Sequence, residues 1–300
     1  MRIPGIDRII CFHHNDHDGR GAAAVVEHFF KCNNYYDPIF VEVEYNKNLP
    51  NPALVKKKDL VFIVDYSFSE DTIHILNEIR EITNSVVWID HHTSSLKLIE
   101  KYPELNEVEG LVVDGISAAA LTFMYLYNIP YQLIPIFLKY ISDYDCWKFK
   151  YGDTTNNFKS GLDRYDTNPK SDIWKKLFSE QSPDAPTMTK ILRDGEIINE
   201  FIKEDYKFYR DNFAYESEID GHKCIVINRK TNSWIFGDLI DKYPISVVWV
   251  FDGTKYIYSL FSSNNEIDCS AIAEKYGGGG SKRAAGFTST ELILKEIPSQ

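Results

Sequence analysis

The sequence predicts an α/β protein. An N-terminal parallel sheet with helices on both faces is joined by a helical linker to a smaller mixed α/β C-terminal domain. Three observations carry this reading. The runs "RIICFH", "DLVFIVD" and "SVVWID" are short, apolar and separated by helical stretches, the pattern of strands buried in a parallel sheet. Residues 187–214 form one long, charged amphipathic stretch, a connector between two folded regions. Residues 215–300 have a different texture, with short strands and a glycine run. The expected boundaries are therefore 1–186, 187–214 and 215–300.

The elements follow in order. Arg8 to Phe12 read as the first strand, then comes a polar turn over His13 to Arg20 and a helix from Gly21 to about Lys31. The segment "IFVEVEY" alternates apolar and polar residues, as a half-exposed edge strand does. Leu60 to Val64 are continuously apolar and end at Asp65. Beyond it Ile73, Leu76, Ile79 and Ile82 recur at helical spacing, behind acidic residues that the helix dipole favours. Val86 to Ile89 form the next strand, which ends at Asp90-His91-His92. A shorter strand, Leu111 to Val113, leads through Gly115 to the small-residue helix "SAAALTFMYLY". Residues 133–142 read as a helix that runs into "ISDYDCW". From Tyr151 to Pro186, Gly, Asp, Asn, Pro and Ser accumulate, which predicts loop with one helix near Trp174. Later, "KCIVIN", "ISVVWVF" and "KYIYSLFSS" read as strands and Ala271 to Tyr276 as a brief helix.

Composition narrows the function. The 300 residues are 44% hydrophobic and 26% charged, ordinary for a soluble globular protein. A net charge of −11 argues against a protein that coats long duplex nucleic acid, which needs an extended basic surface. It leaves room for a short anionic substrate held locally by metal ions. Cys11, Cys32, Cys146, Cys224 and Cys269 contain no C-x-x-C pair, which favours free thiols in a reducing compartment. Nothing resembles a signal peptide or a membrane span, so a cytoplasmic location is expected, and a homodimer is left open.

The chemistry concentrates at strand ends. His14-x-Asp16-x-Asp18-Gly19, Asp65 and Asp90-His91-His92 each follow a buried strand, and open parallel sheets bind ligands beyond their strands' carboxyl ends. If the backbone at His14 to Asp18 is extended, alternate residues aim one imidazole and two carboxylates at a common point. The bland alternative is a solvated turn in which aspartate merely caps a helix. Carboxylates packed this closely repel one another unless cations sit between them. Histidine and aspartate without cysteine suit Mn²⁺, Mg²⁺ or Zn²⁺, with Mn²⁺ the most natural. A bridging carboxylate would hold two such ions about 3.5–4 Å apart. Asp16, Asp18, Asp65 and one further aspartate would balance two divalent ions. Asp143 in "ISDYDCW" is the expected fourth, with Asp145 the runner-up.

These motifs, in this order, resemble those of the DHH phosphoesterase family, named for the triplet seen at Asp90-His91-His92. The segment "SLFSSNNEIDCSAIAEKYGGGGSKRAAGF" is similar to the family's associated substrate-binding domain, which carries Ser-Leu-Arg-Ser and Gly-Gly-Gly-His-x-x-Ala-Ala-Gly. The resemblance implies that His14 and Asp16 bind one metal, that Asp18, His91 and Asp143 bind the other, and that Asp65 bridges them. His92 would contact the scissile phosphate or the leaving group, while Asp90 orients the histidines. His13 and His17 match nothing obligatory. Gly278, Gly279, Gly280, Ser281, Lys282, Arg283 and Phe261 would bind substrate, the glycines as a nest of backbone N–H groups. Two departures stand out: Ser281 replaces the family histidine, and Phe261 stands where many members have arginine. Phe261 reads equally as a core residue or as a base-stacking platform. The implied function is two-metal hydrolysis of short oligonucleotides or linear dinucleotides to mononucleotides. Rivals are a 3′-phosphoadenosine 5′-phosphate phosphatase, an exopolyphosphatase-like enzyme, a RecJ-type exonuclease and an inactive nucleotide-binding module.

Overall fold

The computed structural model describes residues 3–32, 36–45, 47–180, 182–264 and 267–296. In chain order its first part comprises β1 (Arg8–His14), α1 (His17–Cys32), β2 (Ile39–Val43), β3 (Asp59–Val64), α2 (Ile73–Ile82), β4 (Val86–Asp90) and α3 (Thr93–Lys101). These are followed by β5 (Glu109–Val112), α4 (Ala118–Tyr127), α5 (Ile136–Asp145), α6 (Asp153–Leu162), α7 (Asp172–Ser179) and α8 (Pro186–Phe213). The strands form one sheet in the order β2-β1-β3-β4-β5, and every neighbouring pair is parallel. All five therefore present their carboxyl ends on one side.

Alternate residues of the central strands feed two apolar layers. Ile9, Cys11, Phe62, Val64, Val87 and Ile89 pack with α1, α4, α5 and α7, while Ile10, Phe12, Val61, Ile63 and Trp88 pack with α2 and α3. Helices thus cover both faces, as the continuous apolar runs predict. The register pairs His13 with Val64 and Val64 with Ile89. One residue further, His14, Asp65 and Asp90 end neighbouring strands in a single row.

The second part contains β6 (Tyr215–Ile219), β7 (His222–Asn228), β8 (Ile245–Phe251), β9 (Tyr256–Phe261), α9 (Cys269–Glu274), β10 (Gly279–Ser281), β11 (Ala284–Ser289) and β12 (Lys295–Glu296). Its sheet runs β10-β11-β9-β8-β7-β6-β12, antiparallel except at β7-β8. Ile219, Val226, Tyr258, Leu260 and Ile272 form a core on one face, and Ile225, Ile227, Phe236 and Val248 form one on the other. The chain divides into two compact units at Asn199/Glu200, inside α8 rather than at its ends. Met188 and Ile191 join the first unit's core, and Tyr206 and Tyr209 pack in the second. The stretch expected as a separate connector belongs to both. No helix among the described residues is long and apolar enough to cross a membrane.

Two differences from the sequence reading bear on the site. Helix α1 begins at His17, four residues before Gly21, and α6 fills part of the stretch expected as loop. The α6 sequence "DTTNNFKSGL" is poor in helix formers. It is helical because Phe158, Leu162 and Gly161 are buried against neighbouring helices. Its contact with α8 is a glycine crossing: a Cβ on Gly195 would lie 1.7 Å from the Asn157 carbonyl oxygen, and one on Gly161 would lie 1.9 Å from that of Ile191. Neither backbone can retreat from a methyl group. Gly195→Ala should destabilise the protein by about 1–3 kcal/mol in urea unfolding. An unchanged midpoint would show that the helices do not cross this closely.

Candidate metal centre

Strand β1 ends at His14 and the chain turns at once into α1. Asp16 caps that helix: its Oδ1 accepts the Gly19 N–H at 2.9 Å, and its backbone carbonyl accepts the Arg20 N–H at 3.0 Å. The other oxygen, Oδ2, lies 2.8 Å from His14 Nδ1. A Cβ on Gly19 would come within 2.5 Å of the His14 carbonyl oxygen, so only glycine lets the helix start this close to the strand. Asp18 therefore sits in the first turn of α1. The shared extended face expected for Asp16 and Asp18 is not formed; a capped helix brings the two carboxylates in from different directions. Asp18 is buried, and its oxygens accept the Ala118 and Ala119 N–H groups at 2.7 and 2.8 Å, where the α4 dipole favours an anion. Its Oδ2 also lies 3.6 Å from His91 Nε2.

Asp65 follows β3 in the left-handed region, at φ +57°, which few residues other than glycine, asparagine and aspartate enter. Its N–H donates to the Ile89 carbonyl at 2.9 Å, pinning it to β4. The side chain is buried and stands between the two histidines, with Oδ1 3.4 Å from His91 Nε2 and Oδ2 3.6 Å from His14 Nδ1. Among the described residues Oδ2 has no hydrogen-bond partner. A buried carboxylate oxygen left unpaired is costly, and a divalent cation would satisfy it.

The fourth carboxylate is Asp145, not Asp143. Asp145 Oδ2 lies 3.0 Å from His91 Nε2. Asp143, two residues earlier on α5, faces away: its oxygens accept the Lys150 and Tyr151 N–H groups at 2.9 and 3.2 Å and the Thr155 hydroxyl. A buried carboxylate already holding three donors builds the loop beyond α5. The premise of a site without cysteine also changes. Donor atoms of His91, Asp145 and Cys146 lie within 4.8 Å of one another, as do those of His14, Asp16 and Asp65 and those of Asp65, His91 and His92. Oxygen and imidazole donors still outnumber the single thiol.

Asp90 orients one histidine of its triplet. His92 Nδ1 lies 2.7 Å from Asp90 Oδ1, and the Ser95 hydroxyl donates to the other oxygen. His13 is buried, with Nδ1 2.8 Å from the His14 carbonyl, and is structural. His17 lies 3.3 Å from Asp163 and lines a cavity of about 360 Å³ beside Asp16, Asp18 and Asp145, walled by Ile141, Tyr144 and Phe158. Sequence reasoning missed this cavity because part of its wall comes from α6. It also missed Tyr45, whose ring centroid is 5.4 Å from that of His14.

The second unit places the remaining candidates differently from the expected nest. The Gly277 and Gly278 N–H groups close the end of α9 on the Glu274 and Ala273 carbonyls. Gly279, Gly280 and Ser281 form the edge strand β10, and Lys282-Arg283 are the two-residue turn into β11. Much of the glycine backbone is thus engaged, while both cationic side chains are exposed at the hairpin tip. Phe261, at the end of β9, packs partly buried against the cluster of Ile225, Phe236 and Val248. Of its two readings, the structure favours core.

Electrostatics express the crowding. Burial, then the charges of Asp65 and Asp145, push the Asp18 carboxyl well up. Burial, then the charge of Asp16, push Asp65 up to about 6. The Asp16 and Asp65 carboxylates raise His14 to about 10. Burial opposes a charge on His91, but Asp145 and Asp65 hold its imidazolium well above the ordinary range. Without cations, then, the folded chain keeps a proton at Asp65 that the unfolded chain releases near pH 4. Stability is lost as pH rises from there to about 6. Asn tolerates the same backbone, so in chelator-treated protein Asp65→Asn should be more stable than wild type by about 2–3 kcal/mol at pH 7. The gap should close towards pH 4.5; a variant less stable at pH 7 would contradict this. Thermal shifts with Mn²⁺ separate the two aspartates. Asp145→Ala should keep its metal-free melting temperature and lose most of the Mn²⁺ shift, whereas Asp143→Ala should lose about 1–3 kcal/mol of stability. The reverse pattern would restore Asp143 as the ligand.

Residues 8–133 match the DHH family, N-terminal domain. The uncharacterized protein R106 of Acanthamoeba polyphaga mimivirus is 25% identical over 93% of this chain, which spans 66% of the viral protein, just under two thirds. The oligoribonuclease NrnB of Bacillus subtilis is 23% identical over 95% of this chain and 73% of its own length. Among solved structures, the DHH domain of a member of a ribosomal-protein family superposes with a TM-score of 0.60 at 13% identity, covering 97% of this chain and 83% of its own. The pGpG-specific phosphodiesterase PggH of Vibrio cholerae does so with a TM-score of 0.54 at 12% identity, covering 95% and 94%. At these identities the structural likeness is one of fold. The triplet at the end of β4 and the lone Asp65 after β3 both lie within residues 8–133, the segment that is similar to the DHH family's N-terminal domain.

Proposed function

We propose that this protein hydrolyses phosphodiester bonds in short oligonucleotides or linear dinucleotides and releases mononucleotides. The observation that carries the reading is the unpartnered Asp65 oxygen between two histidines, within one cluster of four carboxylates. His14, Asp16 and Asp65 would hold one divalent ion, and Asp18, Asp65, His91 and Asp145 a second. The predominance of oxygen and imidazole favours Mn²⁺ over Zn²⁺. Two such ions supply water activation and neutralise charge on phosphorus.

The chain's own residues do the rest. Asp90 fixes the His92 ring through Nδ1 and leaves Nε2 as its open nitrogen. Burial opposes a charge on His92, but the Asp90 hydrogen bond favours it and the net shift is upward, which favours an imidazolium that could donate from Nε2 to a phosphate or leaving-group oxygen. Ser95 and Ser67 lock Asp90 from behind, their hydroxyls 2.8 Å apart. The acidic chain suits a small substrate, and the relative named as an oligoribonuclease supports this class.

Metal content and turnover separate the two histidines of the triplet. His91→Ala should lower metal content, whereas His92→Ala should keep the metals and lose about 10²–10⁴ in kcat. Equal metal loss in both would reverse the assignment. In a panel of dinucleotides, 5-mers, long single strands, 3′-phosphoadenosine 5′-phosphate and polyphosphate with Mn²⁺, the shortest oligonucleotides should be cleaved fastest. Polyphosphate or 3′-phosphoadenosine 5′-phosphate as the best substrate would overturn the reading.

A further inference from the structure

Just past α5 the chain turns a large aromatic side chain toward solvent. Trp147 is 58% exposed, the most exposed of the five tryptophans, whereas Trp88 and Trp174 are 1% and 2% exposed. Its backbone is left-handed, at φ +53°, and so is that of Phe149, at φ +49°. Bulky aromatic residues rarely enter this region, and where they do the surrounding structure must hold them there.

Asp143 does the holding. Its backbone carbonyl accepts the Lys148 and Phe149 N–H groups at 2.9 and 3.4 Å, and its carboxylate accepts those of Lys150 and Tyr151. The Trp147 N–H donates to the Tyr144 carbonyl at 3.0 Å. The rings of Phe149 and Tyr144 meet the indole near edge-on, at centroid distances of 4.8 and 6.0 Å. The indole is thus fixed in orientation yet still presented to solvent. It stands two residues from Asp145 and one from Cys146, both of which reach His91.

We infer that Trp147 is a stacking platform for a nucleobase of the substrate, the one beside the scissile phosphate. This inference rests on the phosphodiesterase reading above. A chain of net charge −11 offers little general attraction to a nucleic-acid backbone. Stacking supplies affinity without that attraction, and it is indifferent to sequence because every base has a π face. A rigid, strained, exposed indole two residues beyond Asp145 fits that need. It also gives Asp143 a purpose away from the metals: it is a positioning residue for the aromatic loop.

The test compares wild type, Trp147→Ala and Trp147→Phe. On a ribodinucleotide, Trp147→Ala should raise KM about tenfold and Trp147→Phe should recover most of that loss. On a dinucleotide analogue with abasic sugars, all three proteins should give the same KM. A second readout needs no turnover: GMP should quench tryptophan fluorescence in wild type but not in Trp147→Phe, and ribose 5-phosphate should quench neither. Equal KM for wild type and Trp147→Ala on the dinucleotide overturns the inference while leaving the phosphodiesterase reading intact. So does a loss of the same size on the abasic analogue, the mark of a structural role. Quenching by GMP through Trp147, in a protein that cleaves no dinucleotide, leaves the platform standing and overturns the phosphodiesterase reading. Neither quenching nor cleavage overturns both.

Discussion

Four carboxylates, those of Asp16, Asp18, Asp65 and Asp145, converge on His14 and His91 at the carboxyl edge of one parallel sheet, and their mutual repulsion shapes everything around them. The protein meets that repulsion by anchoring its acids separately. Asp16 caps α1, Asp18 is tied to the first N–H groups of α4, and Asp65 is fixed by its N–H to β4. Each anchor belongs to a different strand or helix, so the cluster cannot relax without dismantling the sheet that carries it. The imidazoles of His14 and His91 offset part of the charge. The unsatisfied Asp65 oxygen shows that they do not offset all of it.

The same logic separates residues that look alike in the sequence. Asp143 and Asp145 are near neighbours on α5, yet one organises a loop and the other meets a histidine. His91 and His92 are adjacent, yet His91 is ringed by three carboxylates while His92 is held by Asp90. In each pair, which way the side chain turns is set by backbone beyond the motif: the loop after α5 in one case and the first turn of α3 in the other.

The parallel sheet was legible because β1, β3 and β4 are apolar on both faces, a signal that few other structures produce. The strand-end position of the metal motifs followed from it. What was not legible depended on tertiary contacts. Helix α6 is written in Thr, Asn, Ser and Gly, and exists because Phe158 and Leu162 find a core. The early start of α1 depends on how closely Gly19 approaches His14, which spacing alone does not show. Choosing Asp145 over Asp143 needed the helix phase at the end of α5, where a shift of two residues turns a side chain to the other side. The glycine run is expected as a nest of backbone N–H groups, yet much of its backbone is taken up by the end of α9 and the edge strand β10.

The proposed chemistry requires cations that complete this cluster, with Asp65 shared between them. Calorimetric titration of chelator-treated protein with Mn²⁺ at pH 7 tests it most directly. Wild type should bind two ions per chain, and Asp65→Ala should lose binding at both positions, since one carboxylate would serve both. No binding in wild type, a single ion, or two ions bound unchanged in Asp65→Ala would contradict it.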